Sequence, residues 1–200
     1  MDPRLVAWAR AVKARRARAR LPGHALPVLW LFTDARRLPD PRAAVARLPR
    51  GLCGVVLRHD GAPDRARLGA DLARSCRARR LVLCVAGDAR LAARLGAGLH
   101  LRNGRRLPGP RCGRMVTSSA HGRADLRRAA GAGAALAFLS PLWPTASHPG
   151  AATLGALRWR ILARQSVIPV CALGGVEARR VPALRNTTAC AGVGAIGALA

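Results

Sequence analysis

The sequence has no tyrosine, only 3% aromatic residues, and 9 acidic residues against 35 basic ones. Its net charge of +26 is typical of proteins that bind nucleic acid. Such proteins usually interleave aromatic side chains with the basic ones so that bases can stack, and this chain has few of them. Lys13 is the only lysine, so almost all the positive charge comes from arginines spread along the chain. The composition therefore argues against nucleic acid as the main partner.

No segment contains the roughly 18–20 uninterrupted apolar residues of a membrane-spanning helix, so no membrane partner is expected. None of the six cysteines forms a C-x-x-C pair, which argues against a zinc site. Cys53, Cys84, Cys171 and Cys190 lie in apolar, strand-like runs, where cysteine behaves as a small hydrophobic residue. We therefore expect buried, reduced thiols in a cytoplasmic protein.

Short apolar runs recur along the 200 residues, with helical segments between them. They are continuously apolar rather than alternating, which indicates strands buried on both faces, as in parallel sheets. The predicted strands cover residues 28–33, 53–57, 81–86, 98–101, 114–117, 134–140, 167–173 and 190–196. The predicted helices cover residues 41–48, 63–76, 88–95, 123–130, 153–164 and 177–184.

Eight βα-like units predict an α/β fold, a (β/α)8 TIM barrel, with a doubly wound open sheet as the alternative. The sequence stops soon after the eighth run, so we expect a barrel that lacks its final helix. We divide the chain into a basic N-terminal helical extension, residues 1–27, and a barrel domain, residues 28–200. A helix over residues 5–20 should pack near the exposed barrel wall or the N-terminal mouth.

Glycines at the ends of the last two predicted strands are the strongest indication of a ligand. Gly174 and Gly175 lie between strand seven and a predicted helix, and Gly197 and Ala198 follow strand eight. Phosphate sites of TIM barrels often form from these two loops, where free N–H groups and a helix dipole bind the anion. The alternative is a tight turn that only needs glycine for its backbone angles.

Other polar residues follow the predicted strands, at the rim where TIM barrels place active sites. Arg58 follows strand two, Asp88 follows strand three as a candidate helix cap, and Ser119 and His121 follow strand five. A histidine there could serve as a general acid or base, since its pKa lies near neutrality, or it could simply be a solvated side chain. His100, on a short apolar strand, is more typical of a buried core histidine.

Several stretches together resemble the thiamine phosphate synthase/TenI family, over about residues 28–199. They are LWLFTD (29–34), GVVLR (54–58), GLHL (98–101), SSAH (118–121), SPLWPTASHPG (140–150), IPVCALGGV (168–176) and AGVGAIGAL (191–199). The resemblance implies a TIM barrel. It also implies phosphorylated thiazole and pyrimidine substrates: synthase members join a pyrimidine methyl diphosphate to a thiazole phosphate, whereas TenI-type members isomerise a thiazole carboxylate phosphate with a histidine.

The resemblance also assigns roles to individual residues. Arg58, Ser119 and His121 match catalytic positions of the family motifs. The residues that would bind substrate or phosphate are Thr145, Ser147, His148, Gly174, Gly175, Gly197 and Ala198.

The sequence departs from the synthase pattern where the diphosphate and its Mg²⁺ would bind. Val56 and Asp60 stand where synthases have Gln and Lys, and the lysine of the strand-six loop is His148. The Asn-Asp pair after strand three is replaced by residues 86–87, with Asp88 one place later, and the second metal aspartate falls at Arg105. Asp88 is therefore the candidate ligand nearest to the motif for an implied Mg²⁺, and a rearranged metal site of Asp34, Asp60 or Asp88 near Arg58 is the alternative.

Three hypotheses follow, and the sequence does not separate them. The first is a thiamine phosphate synthase. The second is a thiazole tautomerase that uses His121 without a metal, for which loss of His121 should cost activity and EDTA should not. The third is a relative without catalysis that binds a phosphorylated ligand or contacts nucleic acid. A homo-oligomer is compatible with each.

Overall fold

The apolar runs form a closed barrel in the computed structural model, which describes residues 1–106, 115–145, 150–184 and 187–200. All eight strands are parallel and pair in chain order, and β8 pairs with β1 to close the barrel. The strands are β1 (Leu29–Phe32), β2 (Cys53–Leu57), β3 (Val82–Ala86), β4 (Gly98–Leu101), β5 (Val116–Ala120), β6 (Leu136–Leu139), β7 (Val170–Leu173) and β8 (Cys190–Ala195). The predicted TIM barrel is thus confirmed.

Six α-helices occur within the described ranges, and they alternate with most of the strands. They are α1 (Pro3–Arg18), α2 (Arg42–Arg47), α3 (Arg65–Arg79), α4 (Ala89–Leu95), α5 (Arg123–Gly131) and α6 (Gly155–Arg164). Two short 3-10 helices, Val181–Leu184 and Gly197–Leu199, flank β8, and no α-helix follows it in this part of the chain. Among these helices, none is long and apolar enough to cross a membrane.

Aromatic rings fill the inside of the barrel. Phe138 contacts Phe32 and Trp30 edge to face, with ring centroids 4.8 and 5.4 Å apart. Two strand glycines make room for these rings: a Cβ at Gly54 would lie 2.5 Å from the Trp30 indole, and one at Gly194 would lie 2.8 Å from Phe32. The strands are therefore apolar on the inner face as well as on the face that packs against the helices.

Helix α1 covers the part of the barrel wall formed by β8. Asp2 caps its first turn by accepting a hydrogen bond from the Arg4 N–H at 2.8 Å. The buried face, spaced at three and four residues, consists of Leu5, Trp8, Ala9, Val12 and Arg16. At the other end the guanidinium groups of Arg15 and Arg16 donate to the carbonyls of Thr187 and Thr188, at 3.2 and 3.4 Å. This placement on the wall agrees with the expectation for residues 5–20, and α1 shares the core of the barrel.

The fifth strand lies later than predicted. It spans Val116–Ala120 rather than residues 114–117, of which residue 114 is outside the described ranges. Ser118 and Ser119 suggested a loop because they are polar, but the hydroxyls of this strand find partners within the fold. The Thr117 hydroxyl bonds to His100 at 2.9 Å, and the Ser118 hydroxyl accepts from the Gly104 N–H at 2.9 Å. Ser119 therefore belongs to the strand, and only His121 follows it.

The helix predicted over residues 177–184 is wrong. Only Val181–Leu184 is helical, as a single 3-10 turn. Pro182 lacks an N–H group and disfavours the α conformation of the residue before it, which accounts for the difference. No α-helix starts behind Gly174 and Gly175 in the described residues, so a helix dipole does not contribute to anion binding there.

The first prediction concerns the packing of α1 against the barrel. Leu5 is fully buried, so Leu5→Ala should lower the free energy of unfolding by about 2–4 kcal/mol. Leu157 is 69% exposed, so the matched change Leu157→Ala should cost less than about 0.5 kcal/mol. Urea unfolding of both variants measures this. An effect of Leu5→Ala as small as that of the control would mean that α1 is not part of the core.

The second prediction concerns His100, which lies buried against Phe32 and Phe138. Burial, together with the positive charges of Arg58 and Arg102, lowers the pKa of His100 to about 3. As the pH falls below about 6.5, the unfolded chain takes up a proton at this residue and the folded protein does not, so stability is lost. Between pH 7 and pH 5, this loss should be about 2 kcal/mol larger in the parent protein than in His100→Gln.

Unfolding curves at both pH values test this expectation, and His24→Gln, a change at an exposed histidine, serves as the control. If the parent protein and His100→Gln lose the same stability on acidification, His100 does not carry the effect.

Candidate functional site

A cavity of about 590 Å³ opens at the carboxyl ends of the strands. Its walls come mostly from the residues that end or follow β1, β2, β6, β7 and β8, and Met1 and Asp2 just before α1 also line it. Six of the predicted site residues line it together: Arg58, Thr145, Gly174, Gly175, Gly197 and Ala198. The loops after strands seven and eight thus meet at one cavity, as the sequence predicted.

The two glycines after β7 are needed for close packing of two loops. Both have positive φ angles, +91° at Gly174 and +65° at Gly175. A Cβ at Gly175 would lie 2.4 Å from the carbonyl oxygen of Pro144, and one at Gly174 would lie 2.9 Å from Cα of Pro141. A turn that needs glycine is therefore present here, and it holds the β6 loop against the cavity.

Gly197 differs from this pair. Its φ angle is not positive, and the nearest described atom to a Cβ placed there would be Nη2 of Arg37, at 3.7 Å. The backbone at Gly197 and Ala198 therefore faces the cavity rather than another loop. Arg37, which also lines the cavity, was missed in the sequence. Its rim position after β1 was a usable signal, but so many arginines surround it that the signal did not stand out.

Arg58 is held in place by its neighbours at the ends of β1 and β2. Its backbone N–H donates to the hydroxyl of Thr33 at 3.0 Å, and its Nη2 lies 3.4 Å from Oδ2 of Asp34. Burial would raise the pKa of Asp34, but the N–H groups of Arg37 and Arg36 and the charge of Arg58 outweigh it and lower that pKa below its usual value. The carboxylate is therefore ionised at neutral pH and fixes the guanidinium at the cavity wall.

Ser119 and His121 lie on the same rim but do not line this cavity. The Ser119 hydroxyl accepts from the Asn103 N–H at 3.1 Å and lies 3.3 Å from the Asn103 side-chain oxygen. The His121 ring is 55% exposed, and its Nδ1 lies 3.5 Å from Oδ2 of Asp125. The structure therefore separates these two residues from the cavity that gathers the others.

Asp88, the candidate metal ligand, caps a helix. Its Oδ1 accepts from the Leu91 N–H at 2.8 Å, and its Oδ2 lies 3.8 Å from Nη1 of Arg65. Asp60 faces Arg65 at 3.4 Å and Arg102 at 2.5 Å. No group of three or more His, Cys, Asp or Glu side chains able to hold a metal occurs among the described residues. Since each carboxylate already faces a guanidinium group, this donor set does not fit Mg²⁺.

Two predicted phosphate ligands, Ser147 and His148, fall within residues 146–149, outside the described part of the chain. Their role stays a prediction.

Comparison with solved structures shows which barrels this one resembles. A thiamine phosphate pyrophosphorylase from Pyrococcus furiosus superposes with a TM-score of 0.71 at 21% identity, covering 85% of each chain. A HpcH/HpaI aldolase/citrate lyase family protein from Burkholderia cenocepacia superposes with a TM-score of 0.59 at 17% identity, covering 90% of this chain and 91% of that one. At these identities, the two likenesses establish the fold alone.

Comparison of sequences identifies the family. A thiamine-phosphate synthase from Thiobacillus denitrificans is 32% identical over 163 residues, which cover 74% of this chain and 76% of that protein. The family model described as thiamine monophosphate synthase matches residues 30–199, nearly the whole barrel. The resemblance seen in the motifs is thereby confirmed, and this chain belongs to the thiamine monophosphate synthase family.

Proposed function

We propose that this enzyme joins a pyrimidine methyl diphosphate to a thiazole phosphate, giving thiamine phosphate and free diphosphate. The observation that carries the proposal is the cavity at the ends of β7 and β8, in a chain of the thiamine monophosphate synthase family. Its volume, about 590 Å³, suits a small phosphorylated ligand.

The bond changes define what the protein has to supply. The bond between the pyrimidine methylene carbon and the diphosphate oxygen breaks, and its electron pair leaves with the diphosphate. The lone pair of the thiazole nitrogen forms the new carbon–nitrogen bond, so the ring becomes a cation. No proton is transferred in this step. The protein therefore contributes mainly by holding the two substrates in line and by neutralising the charge on the leaving diphosphate.

The thiazole phosphate is proposed to bind at the backbone of Gly197 and Ala198, opposite Gly175. Backbone N–H groups bind phosphate well where no side chain blocks the approach, and Gly197 faces the cavity. Arg37 would add a positive charge at this end, and Thr145 a hydroxyl, since both line the cavity. Arg58, held by Asp34 on another wall, would face the reacting end of the ligand.

Mg²⁺ is implied by the family resemblance as the counterion of the diphosphate. It would neutralise negative charge on that group. Since Asp60 and Asp88 face guanidinium groups instead of forming a metal-binding cluster, no step of the mechanism above is assigned to a metal ion.

A cytoplasmic setting is also proposed, and the cysteines support it. The five described cysteines are buried, and none forms a disulfide with another of the five. Burial raises the pKa of the Cys53 and Cys76 thiols to about 12, so both stay protonated and unreactive at neutral pH. The structure describes a single chain, and a homo-oligomer stays a prediction.

The third prediction tests the phosphate site. Gly197→Asp places a carboxylate in the cavity without a close contact, since a Cβ there would lie 3.7 Å from its nearest neighbour. Thiazole phosphate binding, measured by isothermal titration, should weaken more than about tenfold through charge repulsion. Gly131→Asp, at a glycine of α5 with open space around it, should leave binding unchanged.

Gly175→Asp would be a poorer test of the same site, because its Cβ would meet the Pro144 carbonyl and distort the loop. Equal affinity in Gly197→Asp and the parent protein would refute the phosphate site.

The fourth prediction separates coupling from tautomerisation. Because coupling moves no proton, His121→Ala should change its rate by less than about tenfold, whereas loss of a histidine acid or base costs about 10²–10⁴-fold. The variant is assayed with both thiamine precursors and, separately, with the thiazole carboxylate phosphate. A parent protein that only isomerises the latter compound, and loses that activity in His121→Ala, would establish the tautomerase alternative in place of the synthase.

A further inference from the structure

A second cluster of charged side chains lies on the rim at the ends of β2, β3 and β4. Asp60 follows β2, Asp88 follows β3 and Arg102 follows β4, while Arg65 begins α3. In the sheet, Leu57 pairs with Val85 and Ala86 pairs with His100, so these three strands end side by side. We call these four residues the arginine bridge.

Arg65 forms the centre of the arginine bridge. Its Nη2 lies 3.4 Å from Oδ1 of Asp60 and donates to the carbonyl of Ala86, and its Nη1 lies 3.8 Å from Oδ2 of Asp88. The side chain is only 15% exposed. Its Nε is buried and finds no hydrogen-bond partner among the described residues. A guanidinium group therefore lies between the carboxylates of Asp60 and Asp88, two of the aspartates considered for a rearranged metal site.

Arg102 extends the arginine bridge outward. Its Nη2 contacts Oδ2 of Asp60 at 2.5 Å, while its side chain is 62% exposed. A guanidinium group carries five N–H donors in a planar fork that matches phosphate oxygens, so one ion pair does not exhaust it. Arg58, on the cavity wall, directly follows β2 and lies two residues before Asp60 along the chain. The arginine bridge thus adjoins the cavity in which the thiazole phosphate is placed.

We propose that Arg65 and Arg102, together with Arg58, bind the diphosphate of the pyrimidine substrate without a divalent cation. This inference rests on the proposed function. Asp60 and Asp88 hold the guanidinium groups in position and partly offset their charge. A cation placed between these carboxylates would also face the charge of Arg65, which disfavours a cation at this position.

Asp88 provides the sharpest test, because its two possible roles, partner of Arg65 or metal ligand, predict opposite changes in anion binding when it is replaced by asparagine. If Asp88 only offsets Arg65, then Asp88→Asn should tighten the binding of an anion, and asparagine still caps α4. If Asp88 is a metal ligand, the same change should weaken binding that depends on Mg²⁺.

The experiment measures binding of inorganic pyrophosphate by isothermal titration at fixed salt, once with EDTA and once with Mg²⁺. We expect binding in EDTA, tightened about threefold by Asp88→Asn and weakened about tenfold by Arg65→Gln and by Arg102→Gln. Arg127→Gln removes the same charge from an exposed position on α5 and should have no effect. Thermal unfolding shows whether Arg65→Gln still folds, since Arg65 is largely buried. If it does not fold, the exposed Arg102 still tests the proposal through Arg102→Gln.

Three outcomes would overturn the inference. The first is pyrophosphate binding that needs Mg²⁺ and weakens in Asp88→Asn. The second is that pyrophosphate binds in neither buffer. The third is that Arg127→Gln weakens pyrophosphate binding as much as Arg65→Gln and Arg102→Gln do. The proposed function is tested apart from these, by the coupling assay with both precursors and by thiazole phosphate binding to Gly197→Asp. A metal-dependent result with intact coupling would thus reject the arginine bridge alone.

Discussion

Aromatic packing inside the barrel is the constraint on which the site depends. Because Trp30, Phe32 and Phe138 fill the space enclosed by the strands, ligands are confined to the rim. The register in which the parallel strands pair decides which of their ends, and so which loops, can meet at that rim. The cavity forms where the loops after β7 and β8 come together with Arg58 from β2.

Scarcity of carboxylates shapes the rest of the rim. Nine acidic residues serve 35 basic ones, so an aspartate that would be spare in another protein is paired here. Asp34 holds Arg58, and Asp60 and Asp88 hold Arg65. In a chain of this composition, a carboxylate on the rim positions a guanidinium group more readily than it coordinates a cation. The same excess of arginine over aspartate and glutamate therefore accompanies both the departures from the synthase motifs and the pairing of these aspartates with arginines.

The sequence predicted the barrel because strands buried on both faces leave uninterrupted apolar runs. It ended the fifth strand too early because Ser118 and Ser119 are polar, whereas Gly104 and Asn103, which only the fold brings near, donate to their hydroxyls. The glycines and Arg58 could be found because they directly follow strands. Arg37 could not be distinguished in the sequence from the many other arginines. The pairing of Arg65 with Asp60 and Asp88 depends on how the ends of β2 and β3 are aligned, which the sequence does not reveal.

The packing of α1 on β8 joins a helix that precedes the barrel to the eighth strand of the barrel. On the ribosome, the apolar face formed by Leu5, Trp8 and Val12 is made before any strand of the barrel, and β8, which covers it, is made after the other seven strands. Contacts so distant in sequence slow folding and leave apolar surface exposed while they are awaited. The apolar face of α1 therefore stays uncovered in a growing chain until all eight strands have been made.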